Sequence, residues 1–95
     1  MTDQSDLAQK TKARLDQWDA QIAKAGAQMK DAEADAKIEM QNRVEEMRVA
    51  RDEAGQRLSK LQSATNDAWG DVSKGFLDAW GQIERSFEKA SERFS

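Results

Sequence analysis

The side chains that could do chemistry in this chain are carboxylates. Acidic residues lie close together at Glu33 and Asp35, at positions 45–46 and at positions 52–53. Neighbouring carboxylates can hold a divalent cation or act as an acid and base pair. The 95 residues include no His and no Cys, so the commonest general base, the thiol nucleophile and the usual zinc ligands are missing. We therefore interpret these acids as a solvated surface and expect a non-enzymatic protein without catalytic residues, cofactor or metal.

The glycines and the charges exclude two further classes of site. The five glycines are scattered singly, so no glycine-rich loop is present to bind the phosphates of a nucleotide. The chain has 15 basic and 18 acidic residues, a formal net charge of −3, and the two signs are interleaved along its length. Nucleic-acid binding needs clustered Lys and Arg, because affinity comes from the release of counterions. We expect neither a nucleic-acid partner nor a small-molecule substrate.

Composition predicts one all-helical domain over residues 1–95. There is no Pro, and Ala, Glu, Lys, Arg and Gln, which favour helices, are abundant. The chain begins with a polar, acidic segment instead of a secretory signal, and it contains no apolar run of the roughly 20 residues that a membrane-spanning helix needs. These features and the lack of Cys predict a soluble, cytoplasmic protein.

The carboxyl-terminal third contains an eleven-residue repeat whose units begin at Ala68, Ala79 and Ala90. Eleven residues make three helical turns at about 3.67 residues per turn, so equivalent positions fall on one line of a helix. The repeat therefore predicts an amphipathic helix over residues 68–94 with an aromatic stripe along one face. The large members of this stripe are Trp69, Val72, Phe76, Trp80, Ile83, Phe87 and Phe94.

The first sixty residues have a heptad spacing of apolar side chains instead. Leu15, Trp18 and Ile22 begin this seam, and the phase shifts once between Met29 and Met40. That eleven-residue step is typical of a stutter, which locally unwinds a coiled coil and need not break the helix. We therefore predict a long first helix over residues 5–62. A cluster of poor helix formers predicts a turn over residues 63–67.

Two architectures follow from this pattern. In the first, the chain reverses near residue 65 and forms a long, coiled-coil-like helical hairpin, in which large side chains of the second helix meet alanines of the first. In the second, the chain is one continuous long helix, because Leu58, Leu61, Thr65, Ala68 and Val72 keep one phase through the proposed turn. The hairpin is the preferred interpretation.

The hairpin predicts self-association. The second helix would cover only about half of the first, since each residue adds about 1.5 Å of length. Leu15, Trp18 and Ile22 would be left bare, and such a stripe favours a dimer or a higher oligomer that forms a helical bundle. The predicted interface consists of Leu15, Trp18, Ile22, Trp69, Val72, Phe76, Trp80, Ile83, Phe87 and Phe94.

A resemblance to a known family agrees with this interpretation. The order of Leu15–Trp18, Arg51–Ala54, Leu58–Leu61, a Ser/Thr/Asn turn and paired Ala-Trp units ending in Arg-Phe resembles a widespread group of short bacterial coiled-coil proteins described as stress-response proteins, cyanobacterial members included. The resemblance implies a small, non-enzymatic helical protein. Through the eleven-residue period alone, residues 68–94 are also similar to apolipoprotein-like helices.

Two functions remain open from the sequence. The first is a structural coiled-coil protein, stress-associated as the resemblance implies, that acts through helix–helix self-association. The alternative is reversible binding to a lipid surface, in which the second helix lays its aromatic side chains into a membrane interface, where Trp is well accommodated. The partner of the aromatic stripe, a protein helix or a membrane surface, decides between them.

Overall fold

The protein is all-helical over residues 4–94, the part that the computed structural model describes. Helix α1 spans Gln4–Lys30, α2 spans Ala34–Ser63, and α3 spans Trp69–Ser91 and continues into a 3-10 turn over Glu92–Phe94. The outermost positions of the predicted domain, residues 1–3 and 95, lie outside the described residues. The predicted helical class is confirmed.

The three helices lie side by side, and α2 packs against both of the others. Because α2 packs along both neighbours across connections of only three and five residues, the chain reverses direction at each connection. Helices α1 and α3 therefore run parallel to each other and antiparallel to α2. The described chain measures 53 × 19 × 18 Å along its principal axes. The alternative of one continuous helix is therefore wrong.

The predicted first helix over residues 5–62 is divided into two helices. Helix α1 ends at Lys30, where the N–H groups of Asp31 and Ala32 donate to the carbonyls three residues before them, and Glu33 has an extended backbone. The division falls within the phase shift between Met29 and Met40. Because an eleven-residue step keeps Met29 and Met40 near one line of a straight helix, the phase shift does not by itself require a break. Folding back lets the apolar stripes of α1 and α2 face one core.

The second connection lies one residue later than the predicted turn. Ser63 is still helical, Ala64 is extended, and Ala68 has a helical conformation just before α3. The N–H of Ala68 donates to both the carbonyl and the hydroxyl oxygen of Thr65. The predicted second helix over residues 68–94 corresponds to α3 together with its 3-10 turn.

One hydrophobic core draws on all three helices. Alanines occupy several of its positions and let the helices approach closely, while Trp18 and Phe87 fill the space between them. Its buried members are Leu15, Trp18, Ala25, Val44, Met47, Ala50, Ala54, Leu58, Ile83, Phe87 and Ala90. None of the helices in the described part of the chain is long and apolar enough to cross a membrane.

Candidate helix–helix interface

An aromatic column joins α1 to α3. The ring of Trp18 lies between the rings of Trp80 and Phe87, with centroid distances of 5.3 Å and 4.3 Å and interplanar angles of 2° and 7°. Phe76 extends the column, with its centroid 5.3 Å from that of Trp80. Trp80 and Phe87 are seven residues apart, about two turns of α3, so the single side chain from α1 enters the gap between them. Trp18 is only 1% exposed.

Arg14, one turn before Trp18, closes the same contact on its solvent side. Its Nη2 atom donates to Oε2 of Glu84 at 3.0 Å and lies 3.6 Å from Oε1 of Glu88. Its guanidinium carbon is 6.0 Å from the centroid of the Trp18 ring, within range of a cation–π interaction. Aromatic stacking and ion pairing therefore fix the same register between α1 and α3.

A second ion pair joins α1 to α2. The guanidinium of Arg51 donates from Nε to Oδ1 of Asp19 at 2.7 Å and from Nη2 to Oδ2 at 3.2 Å, a bidentate arrangement. The hydrogen bonds to Asp19 raise the pKa of Arg51 above its ordinary value, against a smaller opposing effect of burial. Arg93, in the 3-10 turn that follows α3, pairs with Glu39 of α2 at 3.4 Å. With this turn counted as part of α3, each pair of helices thus has its own ion pair.

Most of the predicted interface residues lie inside the chain's own core. Leu15, Trp18, Phe76, Ile83 and Phe87 are buried, and the others are partly buried. The partly buried members that pack against the central cluster are Ile22, Trp80 and Phe94. Trp69 and Val72, near the start of α3, are also partly buried and lie closest to the α2–α3 connection.

The expected bare stripe on α1 does not exist. Leu15 is 4% exposed, Trp18 is covered on both faces of its ring, and Ile22 packs against the core. The reason is the break at residues 31–33, which lays α1 against α2 and beside α3. Trp80 and Phe87 of α3 therefore cover Trp18 within the same chain, where the hairpin had left Trp18 for a second subunit.

Sequence reasoning missed the polar contacts between helices. The sequence pattern did not identify Asp19, Arg14 or Glu84 as contact residues, and it gave Arg51 no partner. In the structure Arg51 is partly buried and binds Asp19. The position of Arg51 in the apolar seam was the available signal, since a charge there needs a partner on the facing helix.

A groove on the exposed surface lies between α2 and α3. It has a volume of about 400 Å³, and Val49 and Ala50 form its apolar part. Its charged border includes Arg43, which pairs with Glu46, and Lys89. Val49 and Ile38 are both well exposed on the outer side of α2, eleven residues apart.

The acidic neighbours noted in the sequence do not form a centre that could hold a metal ion. Glu33, Asp35 and the acids at positions 45–46 and 52–53 are all exposed. Within residues 4–94, no three acidic side chains converge in a way that could hold a cation. Comparison with family models, with curated proteins and with solved structures found no match to this chain.

Proposed function

We propose that this protein is a non-enzymatic structural protein that acts through helix–helix association with a second copy of its own chain. Most of the large apolar side chains and the interhelical ion pairs hold one helix against another, so helix pairing is the property that this sequence supports best. A role under stress, which the family resemblance implies, is part of this proposal. Survival of a deletion strain after heat or salt stress, compared with its parent, tests that part.

The observation that carries the proposal is the insertion of Trp18 between Trp80 and Phe87. Near-parallel rings at 4.3–5.3 Å are a shape-specific fit between one helix and another. Trp18 and Phe87 are 69 residues apart in the chain, so nothing in the contact itself requires both rings to belong to one molecule. Faces that pair helices within a chain also suit pairing between chains.

Lipid binding is a second candidate, and the composition of α3 favours it. Four of the six aromatic residues, Trp69, Phe76, Trp80 and Phe87, lie on this one helix, and its polar side is uninterrupted by large apolar residues except Leu77. To bind a membrane, α3 would have to leave Trp18 and exchange the stack for the membrane interface. The fit of the stack therefore supports a helical partner over a lipid surface.

Sedimentation equilibrium of the full chain tests the proposed function. Between low micromolar and millimolar concentration, we expect the mass to rise from 10.7 kDa towards twice that value. A constant mass of one chain over the whole range would contradict self-association. In parallel, a blue shift of tryptophan fluorescence with zwitterionic vesicles, but no change of mass without them, would favour the lipid-binding alternative.

A further inference from the structure

The connection between α2 and α3 has an unusual composition for a turn. Its five residues, Ala64 to Ala68, include neither Gly nor Pro, and no residue of the described chain has a positive φ angle. Ala64 is extended, with φ −67° and ψ 135°, whereas Ala68 already has a helical backbone at φ −89° and ψ −12°. The connection thus has an extended backbone at Ala64 and a helical one at Ala68, and no residue in it needs a conformation that a side chain disfavours.

The helix ends on either side of this connection would gain if the connection became helical. No side chain caps the start of α3, and the N–H of Ala64 makes a turn bond to the carbonyl of Leu61 at 3.4 Å. The end of one helix and the start of the next each leave backbone groups without helical partners. A helix that runs through residues 64–68 would satisfy the carbonyls at the end of α2 and the N–H groups at the start of α3 with each other.

The apolar phase also runs through the connection. Leu61, which is fully buried, is followed by Thr65, Ala68 and Val72 in alternating steps of four, three and four residues. In a continuous helix these side chains would lie on one face. A turn does not require apolar residues at steps of three and four, so this spacing favours a helix through the connection.

The packing of α2 against α3 fixes where two such helices would cross. The ion pair between Arg93 and Glu39 aligns the two antiparallel helices about residue 66, halfway between these positions. If two chains exchanged α3 in this register, their continuous helices would cross at residue 66. Leu61 of one chain would then contact Val72 of the other, and Thr65 would contact Ala68. The two larger side chains would pack together and the two smaller ones would pack together, each pair repeated by the two-fold axis.

We propose that the partner of this chain is a second copy with which it exchanges α3. The connection 64–68 becomes helical, α2 and α3 form one helix of about 85–90 Å, and the α3 of each chain packs on α1 and α2 of the other. Every contact of the folded chain is rebuilt, including the column around Trp18, and the crossing at residue 66 is added. The inference rests on the proposed self-association and specifies its mechanism.

Cross-linking distinguishes this exchange from an ordinary dimer. The natural chain has no Cys, so the double variant Glu39→Cys/Arg93→Cys places its only two thiols on α2 and on the 3-10 turn that follows α3, where the two elements meet. A short bismaleimide should link two different chains in the dimer fraction and link one chain to itself in the monomer fraction. Denaturing gel electrophoresis after separation by size gives the readout.

Two substitutions at one position test the hinge itself. Both Thr65→Ala and Thr65→Pro remove the hydroxyl that binds the N–H of Ala68. Ala favours the continuous helix and should tighten dimerisation about tenfold, counting both connections. Pro suits the extended Ala64 that precedes it but is disfavoured inside a helix, and it should weaken dimerisation by about 10⁴-fold, leaving folded monomer. Circular dichroism checks that both variants are folded.

The outcomes separate the two proposals. A dimer in which the bismaleimide links only residues of the same chain would overturn the exchange of α3 and leave self-association standing. Equal dimerisation of the Ala and Pro variants would also overturn it. If the parent chain and Thr65→Ala are both monomeric at every concentration, the exchange and the proposed function fail together.

Discussion

At the scale of single residues, Trp18 has the largest share in holding α1 to α3. Its indole stacks on two rings that come from one helix, and the guanidinium carbon of Arg14 lies 6.0 Å from its ring centroid. The sequence identified Trp18 as an interface residue but not its partner. The spacing of apolar residues shows which face of a helix is buried, whereas the identity of the covering helix depends on how the chain turns.

Replacing Trp18 with Ala tests this role. We expect the free energy of unfolding to fall by about 3–5 kcal/mol, because the substitution leaves a cavity between Trp80 and Phe87 and removes two stacked contacts. Urea unfolding followed by circular dichroism measures the change. The matched control is Leu77→Ala on the exposed side of α3, where Leu77 is 58% exposed and the loss should stay within about 0.5 kcal/mol. Equal losses in the two variants would show that the column does not anchor α1.

At the scale of the helices, the sequence predicted α3 far better than it predicted α1 and α2. The eleven-residue repeat fixed both the extent of α3 and its buried face, because Phe76, Ile83, Phe87 and Ala90 are buried as the stripe requires. The division at residues 31–33 carried no such signal. It has no Gly or Pro, no side-chain cap precedes α2, and Ala32 favours helix. Only the phase shift marked it, and a stutter in an unbroken helix has the same sequence pattern.

The glycines within the helices provide a prediction at this scale. An added Cβ at Gly75 of α3 would have no atom within 4 Å, whereas at Gly55 of α2 it would lie 3.1 Å from Nη1 of Arg51. Gly75→Ala should therefore raise the free energy of unfolding by about 0.5–1 kcal/mol. Gly55→Ala should gain less, because the guanidinium must move while it binds Asp19.

Thermal or urea unfolding of both Ala variants, compared with the parent chain, decides this point. When Asp19 is replaced by Ala, Arg51 is free to move away from position 55. Gly55→Ala added to Asp19→Ala should then raise the free energy of unfolding by as much as Gly75→Ala does in the parent chain. A larger gain at Gly55 than at Gly75 would contradict the expected crowding by Arg51.

At the scale of the whole molecule, the break before α2 changes the shape that the sequence indicated. A first helix over residues 5–62 would be about 85–90 Å long, but the longest dimension of the described chain is 53 Å. The shorter molecule covers Leu15, Trp18 and Ile22, which the long hairpin would have left exposed. It also makes all three helices depend on each other, because Trp18, Met47 and Phe87 belong to one core cluster.

Unfolding should therefore be a single cooperative transition at low concentration. Far-ultraviolet circular dichroism reports on all three helices, whereas tryptophan fluorescence reports mainly on the column between α1 and α3. Because neither α1 nor α3 has a separate core, the two signals should give the same urea midpoint and slope. Trp18→Phe, which keeps a ring between Trp80 and Phe87, should lower the midpoint while the two signals still coincide. If fluorescence changed at lower urea than circular dichroism in the parent chain, α3 would leave the core while α1 and α2 stayed folded, and the three helices would not form one cooperative unit.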